Sequence, residues 1–194
     1  HTDATQAVGN IDIDLKKLNV DLLTFSGHKL NGPKGIGVLY IKEGTKIDNL
    51  LHGGGQENKR RASTENVASI VGLAKALELA TNNIGNKTKY LKKLRERCIK
   101  GIMKKIPDTI LNGDAVKRLP GNVNVSFKYV EGESILLMLD ELNICASTGS
   151  ACTSGSLEPS HVLLAIGLPY EIAHGSLRLS FSKDNTEEEV DYLL

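Results

Sequence analysis

Asp21-Leu22-Leu23-Thr24-Phe25-Ser26-Gly27-His28-Lys29 is the stretch from which the fold is read. Its first five residues are short, Leu-rich and aromatic, the make-up of a buried strand. Ser26-Gly27 is a turn signal that stops the strand. Just past the turn stand a hydroxyl, an imidazole and an amine, on Ser26, His28 and Lys29. A buried strand that delivers a lysine to its mouth can desolvate the ammonium and make it a carbonyl-reactive amine. A solvated loop lysine is the other reading, and the stretch alone leaves both open.

The residues around this strand extend the pattern. Upstream, Asp3 and Gln6 sit three apart at the start of the chain, and Asp12 to Leu18 is expected to form a turn or two of helix. Downstream, Asn31-Gly32-Pro33-Lys34-Gly35 is a turn and Ile36 to Ile41 a β-rich run. The glycines there match neither the dinucleotide nor the Walker spacing, and a strand follows where a phosphate loop needs a helix. His52-Gly53-Gly54-Gly55 has no nucleophile elbow to serve as an oxyanion partner, so backbone access or a bend near a ligand is the use expected of it. Thr64 is expected to cap a helix ending near Thr81, with Val67, Ile70, Val71, Ala74 and Leu77 on one face.

The break at Asn82-Asn83 is expected to divide the chain into a first part, 1–82, and a second domain, 83–194. Leu91, Leu94, Cys98, Ile102 and Ile106 line one face of a long basic helix ending before Pro107, with its Lys and Arg outward. Strands are expected at Thr109–Leu111, Val123–Phe127 and Ser176–Phe181, and a short one at Asn143–Ala146. Helices are expected at Glu133–Leu142, after Ser160, and after the capping box of Thr186 and Glu189. This alternation indicates an α/β or α+β architecture. Between Ser147 and Ser156 no side chain is large. Such a segment has nothing to anchor in a core and is expected to move, carrying Cys152, whereas Cys98 and Cys145 have apolar neighbours.

Bulk properties exclude several classes. The 194 residues carry 24 basic and 23 acidic side chains, so bulk charge points to neither nucleic acid nor a membrane surface. There is no apolar run of about 18 residues, and His1-Thr2-Asp3 opens with no signal-peptide pattern. Three cysteines without a Cys-x-x-Cys argue against a disulfide framework or zinc knuckle, and no His-x-x-x-His pair suggests a metal. A reducing compartment such as the cytoplasm follows as the expectation.

The remaining polar residues match the needs of pyridoxal 5'-phosphate. The cofactor aldehyde needs a lysine, its ring nitrogen a carboxylate, its phosphate hydroxyl and N–H donors, and an amino-acid substrate an arginine. Lys29, Asp3, Ser26, His28, Thr64 and Arg178 fill these places. The spacing from Asp3 to Lys29 allows two parallel strands, joined by a crossover, that end on one sheet edge.

Nearly the whole sequence resembles the cysteine desulfurases, class V, fold-type I pyridoxal phosphate enzymes. The resemblance rests on Asp3-Ala-Thr-Gln6, Ser26-Gly-His-Lys29, Gly32-Pro-Lys-Gly-Ile-Gly37, His52-Gly-Gly-Gly55, Arg61-Ala-Ser-Thr64, Tyr129-Val-Glu-Gly-Glu133, Gly149-Ser-Ala-Cys-Thr-Ser154, Leu157-Glu-Pro-Ser160 and Ser176-Leu-Arg178. It implies that Lys29 carries the cofactor aldehyde and shuttles protons, Asp3 pairs with the pyridinium, and Gln6 bonds the ring hydroxyl. Ser26 and His28 would hold the phosphate, joined by Thr64 across a homodimer interface, and Arg178 would clamp the carboxylate of L-cysteine. Cys152 would take the sulfur as a persulfide, release L-alanine, and pass the sulfur to an acceptor or iron–sulfur scaffold protein. Ser63 departs from the glycine usual in the family. The family's amino-terminal half, with its Gly-Thr phosphate loop and ring-stacking histidine, and a short carboxy-terminal piece are expected to be missing. Such a fragment should hold the cofactor poorly. A selenocysteine lyase, an aminotransferase of the same fold, or a non-enzymatic scaffold for a sulfur acceptor are the rival readings.

Overall fold

Two short sheets, each backed by helices, organise the chain in its computed structural model, which describes residues 1–149 and 158–194. The architecture is mixed α/β, and the chain divides into two compact units, His1–Gly85 and Asn86–Leu194.

The first unit is built on β1 (Thr2–Asp3), β2 (Leu22–Ser26) and β3 (Gly37–Ile41), in the order β1-β2-β3. β1 runs parallel to β2, with Asp3 opposite Thr24, and β3 returns antiparallel, with Gly37 opposite Ser26. Period-two alternation sends Leu23 and Phe25 into a core shared with Ala4, Val8, Leu30, Leu73 and Ala76. After β3 comes α1 (Gln56–Lys59), a single turn in which Glu57 and Asn58 have left-handed backbones. α2 (Val67–Thr81) ends where its pattern predicts, but begins later than Thr64. Its cap is Asn66, whose side chain accepts from the Ser69 N–H at 3.3 Å. The buried face is also a different one. Leu73 and Ala76 enter the core, while Val67 is 65% and Val71 62% exposed. Apolar residues occur on both sides of this helix, so periodicity alone could not choose between them. Residues 12–18 form no helix; Lys17 and Leu18 donate to the Asp14 carbonyl in a hydrogen-bonded turn.

In the second unit, β4 (Thr109–Leu111), β5 (Asn122–Phe127) and β6 (Ser176–Ser180) make an antiparallel sheet in that order. α3 (Ile84–Lys105), which starts at the end of the first unit, lays Leu94, Cys98 and Ile102 against Val123, Val125, Leu177 and Leu179. Ile106 lies just past its end and is exposed. Arg95 is the exception among the outward-facing basic residues: it is 3% exposed and donates to the carbonyls of Arg118 and Leu119. α4 (Gly132–Glu141), α5 (His161–Ala165), α6 (Tyr170–His174) and α7 (Glu187–Leu193) complete the unit. α7 has the expected reciprocal box between Thr186 and Glu189 and delivers Val190 to the core. Ser160 stands at the cap of α5 without a side-chain cap bond. α6, five residues long behind Pro169, was not foreseen.

Two expectations about the segment after α4 fail. Residues 143–146 form no strand, and Cys145 is exposed. Ser147, Thr148 and Gly149, the start of the small-residue segment, are anchored by an isolated bridge to β6 and by the bonds described below. Backbone groups and hydroxyls can hold a chain that has no bulky side chain to bury. Among the described residues no helix is long and apolar enough to cross a membrane, and no group of three metal-ligating side chains occurs.

Candidate functional site

The turn after β2 decides how the residues at its mouth are presented. Gly27–Leu30 is a 3-10 helix, whose period of three puts Gly27 and Leu30 on the buried side. His28 and Lys29 are left facing solvent. Gly27 is tightly surrounded: a Cβ there would come within 3.0 Å of Ile36 and 3.1 Å of the Pro33 carbonyl oxygen. Its N–H donates to the Ile36 carbonyl at 2.9 Å, and Gly32 donates back to the Gly27 carbonyl at 3.0 Å. A side chain at position 27 would push this turn away from the sheet, and the lysine with it.

Because β1 and β2 are parallel neighbours, their carboxyl ends share an edge, as the crossover length predicts. Asp3 closes β1 there, and Ser26, His28 and Lys29 follow β2. The Asp3 carboxylate accepts from the Thr5 N–H at 2.9 Å. Hydrogen bonding from Thr5, side chain first and backbone second, holds Asp3 below the usual carboxylate range, so it is ionised at neutral pH. Ser26 Oγ and His28 Nδ1 share a hydrogen bond of 2.7 Å. Gln6 is exposed in the turn after β1, where its carbonyl accepts from Asn10. An open depression of about 450 Å³ is lined by Asp3, Ile11, Ile13 and Leu18 among others, but by none of Ser26, His28 or Lys29.

Thr64 is exposed on the connection into α2. That connection carries backbone strain: Glu57, Asn58, Lys59 and Ser63 all have positive φ, Ser63 at 109°. The Ser63 N–H donates to Gln56 Oε1 at 3.3 Å. Of the His-Gly-Gly-Gly run, His52 to Gly55 are all exposed.

In the second unit, Arg178 lies in the middle of β6, opposite Asn124 of β5. Its Nη1 donates to the Gly149 carbonyl at 2.6 Å. Its main chain exchanges bonds with Ser147, at 3.1 Å one way and 2.6 Å the other. Ser176 Oγ donates to the Thr148 carbonyl at 2.8 Å. These bonds were not anticipated; no side-chain pattern marks residues 147–149 as a partner for a strand. Cys152 falls in 150–157, outside the described residues.

The residues of the first unit suit pyridoxal phosphate. An ionised carboxylate and a bonded Ser–His pair stand at the same sheet edge as an exposed amine. Comparison with known proteins accords with this chemistry, for residues 1–193 match the class V aminotransferases. The chain belongs to that family.

Among class V relatives, it is 62% identical over 194 residues to "Cysteine desulfurase IscS" of Methanosarcina thermophila, covering all of this chain and 48% of that one. A solved NifS-like protein superposes with a TM-score of 0.87 at 40% identity, over 99% of this chain and 49% of the other. A structure described as SspA in complex with cysteine has a TM-score of 0.70 at 33% identity, over 96% and 51%. The resemblance to cysteine desulfurases and the fold-type I architecture are thus borne out. The chain spans about half the length of the curated relatives it matches.

Proposed function

We propose that the protein is a pyridoxal phosphate-dependent cysteine desulfurase. It would convert L-cysteine to L-alanine and leave a persulfide on Cys152 for a sulfur-acceptor protein, in iron–sulfur cluster assembly or thiolation. The observation that supports this reading is the parallel pairing of β1 and β2, which brings Asp3 and the turn carrying Ser26, His28 and Lys29 to one edge of the sheet.

When bound, the cofactor supplies an electron sink for the carbon skeleton of the amino acid. The chain's own residues supply the rest. Lys29 Nζ would be the amine that holds the cofactor through its aldehyde, and it would carry the proton taken from the substrate. Asp3, ionised, keeps a proton on the ring nitrogen, and Gln6 orients the ring through its hydroxyl. Ser26 and His28 donate to the phosphate, with Thr64 contributing across a homodimer. The exposed apolar stripe of Val67, Ile70 and Val71, close after Thr64, supports that dimer. Arg178 takes the substrate carboxylate. The Cys152 thiolate forms an S–S bond as the C–S bond of cysteine breaks, and the β-carbon keeps that electron pair and takes a proton, giving alanine.

Mass spectrometry of the full-length, cofactor-loaded protein after incubation with L-cysteine tests the reading. A single added sulfur on Cys152, absent in Cys152→Ser, is expected, together with a cofactor absorbance band that disappears in Lys29→Ala. Undiminished alanine release by Cys152→Ser would defeat it. The 194-residue chain alone should bind the cofactor weakly and release little alanine.

A further inference from the structure

Three residues, Ser147, Thr148 and Gly149, lead directly into the segment that carries Cys152, and all three are bonded to β6. Ser147 pairs with Arg178 through the main chain, Thr148 accepts from Ser176, and Gly149 accepts from the Arg178 side chain. Ser147 Oγ also donates to the Gly149 carbonyl at 2.9 Å and accepts from the Gly149 N–H at 3.3 Å. The amino end of α4 closes the other side. A Cβ on Gly132 would come within 2.7 Å of Thr148 Cγ2 and of the Ser176 carbonyl oxygen. The stem is therefore a built contact, tight against two elements.

Arg178 spends one nitrogen on this contact. Nη1 takes the Gly149 carbonyl, and among the described residues Nε and Nη2 have no hydrogen-bond partner. The Nε–Nη2 edge of a guanidinium is a planar two-donor fork that matches a carboxylate. One arginine can thus hold two acceptors at once. A lysine ammonium, a single point charge, cannot copy that arrangement in one plane.

We infer that Arg178 is a positioning residue for the stem of residues 147–149 as well as a ligand for the substrate. Its Nη1 fixes Gly149, while its Nε–Nη2 edge receives the α-carboxylate. Binding of an α-amino acid then stiffens the stem through the same guanidinium. The inference rests on the proposed binding of the substrate carboxylate by Arg178.

Amide hydrogen exchange over residues 147–149 tests it in the full-length, cofactor-loaded protein, with and without saturating L-alanine, which bears the carboxylate but no thiol. Wild type should exchange several-fold more slowly with alanine present. Arg178→Lys should exchange at least five-fold faster without ligand, show no response to alanine, and bind alanine more weakly in a spectral titration. Protection over Val123–Val125 should be unchanged. Wild-type stem exchange that ignores bound alanine overturns the inference without needing any variant. Weakened alanine binding in Arg178→Lys with unaltered stem exchange overturns the inference and leaves the carboxylate reading standing. A loosened stem with unaltered alanine affinity overturns the double role by removing its carboxylate half.

Discussion

Two three-stranded sheets, one in each unit, are put to opposite uses. The sheet of the second unit is covered: Val123, Val125 and Leu94 are fully buried, and α3 and α7 both contribute to the same core. The sheet of the first unit is half open. Its core has seven buried residues, two of them alanines, and Leu39, Val67 and Val71 are exposed. The residues with chemistry to perform divide in the same way. Asp3, His28 and Lys29 stand in solvent at an edge, whereas Arg178 is half-buried and bonded through both main chain and side chain. Burial in the second unit sets position, and in the first unit the turn after β2 does so with backbone bonds.

The largest expected contrast is in packing. Leu94→Ala removes a side chain that is 0% exposed from the middle of the second core. It should cost about 3 kcal/mol, through lost transfer energy and a residual cavity. Val71→Ala, at a 62% exposed position of α2, should stay within about 0.5 kcal/mol. Urea denaturation of both variants reads the difference. A comparable loss in Val71→Ala would mean that the open face of α2 is covered in solution.

A second contrast concerns the thiols. Burial pushes Cys98 from the ordinary value of 9.0 up to about 12. Below pH 9 both folded and unfolded chains keep that proton, so the contribution is fully present there. Above it the unfolded thiol ionises while the buried one does not, and stability falls as pH rises toward 12. The slope attributable to this group is at most about 1.4 kcal/mol per pH unit. Stability between pH 8 and 10.5 should therefore drop less steeply in Cys98→Ala than in wild type. Cys145 is exposed, and should alkylate in the native protein while Cys98 reacts only on unfolding.

This division also explains what could be read from the amino-acid order. In the second unit, Leu91, Leu94, Cys98 and Ile102 repeat at helical spacing because one face alone meets a core, and the capping box of Thr186 and Glu189 is a local signal that needs no tertiary context. α2 is apolar on both sides, so its pattern is compatible with either face, and Asn66 rather than the expected Thr64 caps its start. The edge shared by Asp3 and Lys29 was legible because a parallel pair constrains where strands end. The anchoring of residues 147–149 was not, since its partners are carbonyls and amides that every residue possesses. Cys145 has apolar neighbours in sequence, yet the chain there is irregular and leaves it outside.

Third in size is the cap of α7. Thr186 Oγ1 accepts from the Glu189 N–H at 3.2 Å, and the Glu189 carboxylate accepts from the Thr186 N–H at 3.0 Å. Thr186→Ala should cost about 1 kcal/mol. The loss should appear as faster exchange around Val190, which is fully buried and held in place by this short helix. An unchanged exchange rate would show that packing alone fixes α7.

The smallest effect expected is a gain, and it lies in the first unit. Ser63 has φ 109°, a region that residues with a Cβ rarely enter, and it stands where cysteine desulfurases usually carry glycine. Strain of this kind costs on the order of 1–3 kcal/mol, from which the extra freedom of glycine in the unfolded chain subtracts about 0.4–1 kcal/mol. With strain at the low end of that range, Ser63→Gly should stabilise the protein by about 0.5 kcal/mol in urea denaturation. The hydrogen bond at this position is unaffected, because the donor to Gln56 is the backbone N–H. Asn31→Gly is the control: Asn31 also has positive φ, at 62°, but asparagine tolerates the left-handed region, so little should change. If both substitutions are neutral, the connection into α2 relaxes in solution and the strain assigned to the first unit is lost. A gain confined to Ser63→Gly would show that this stretch is held against its own preference.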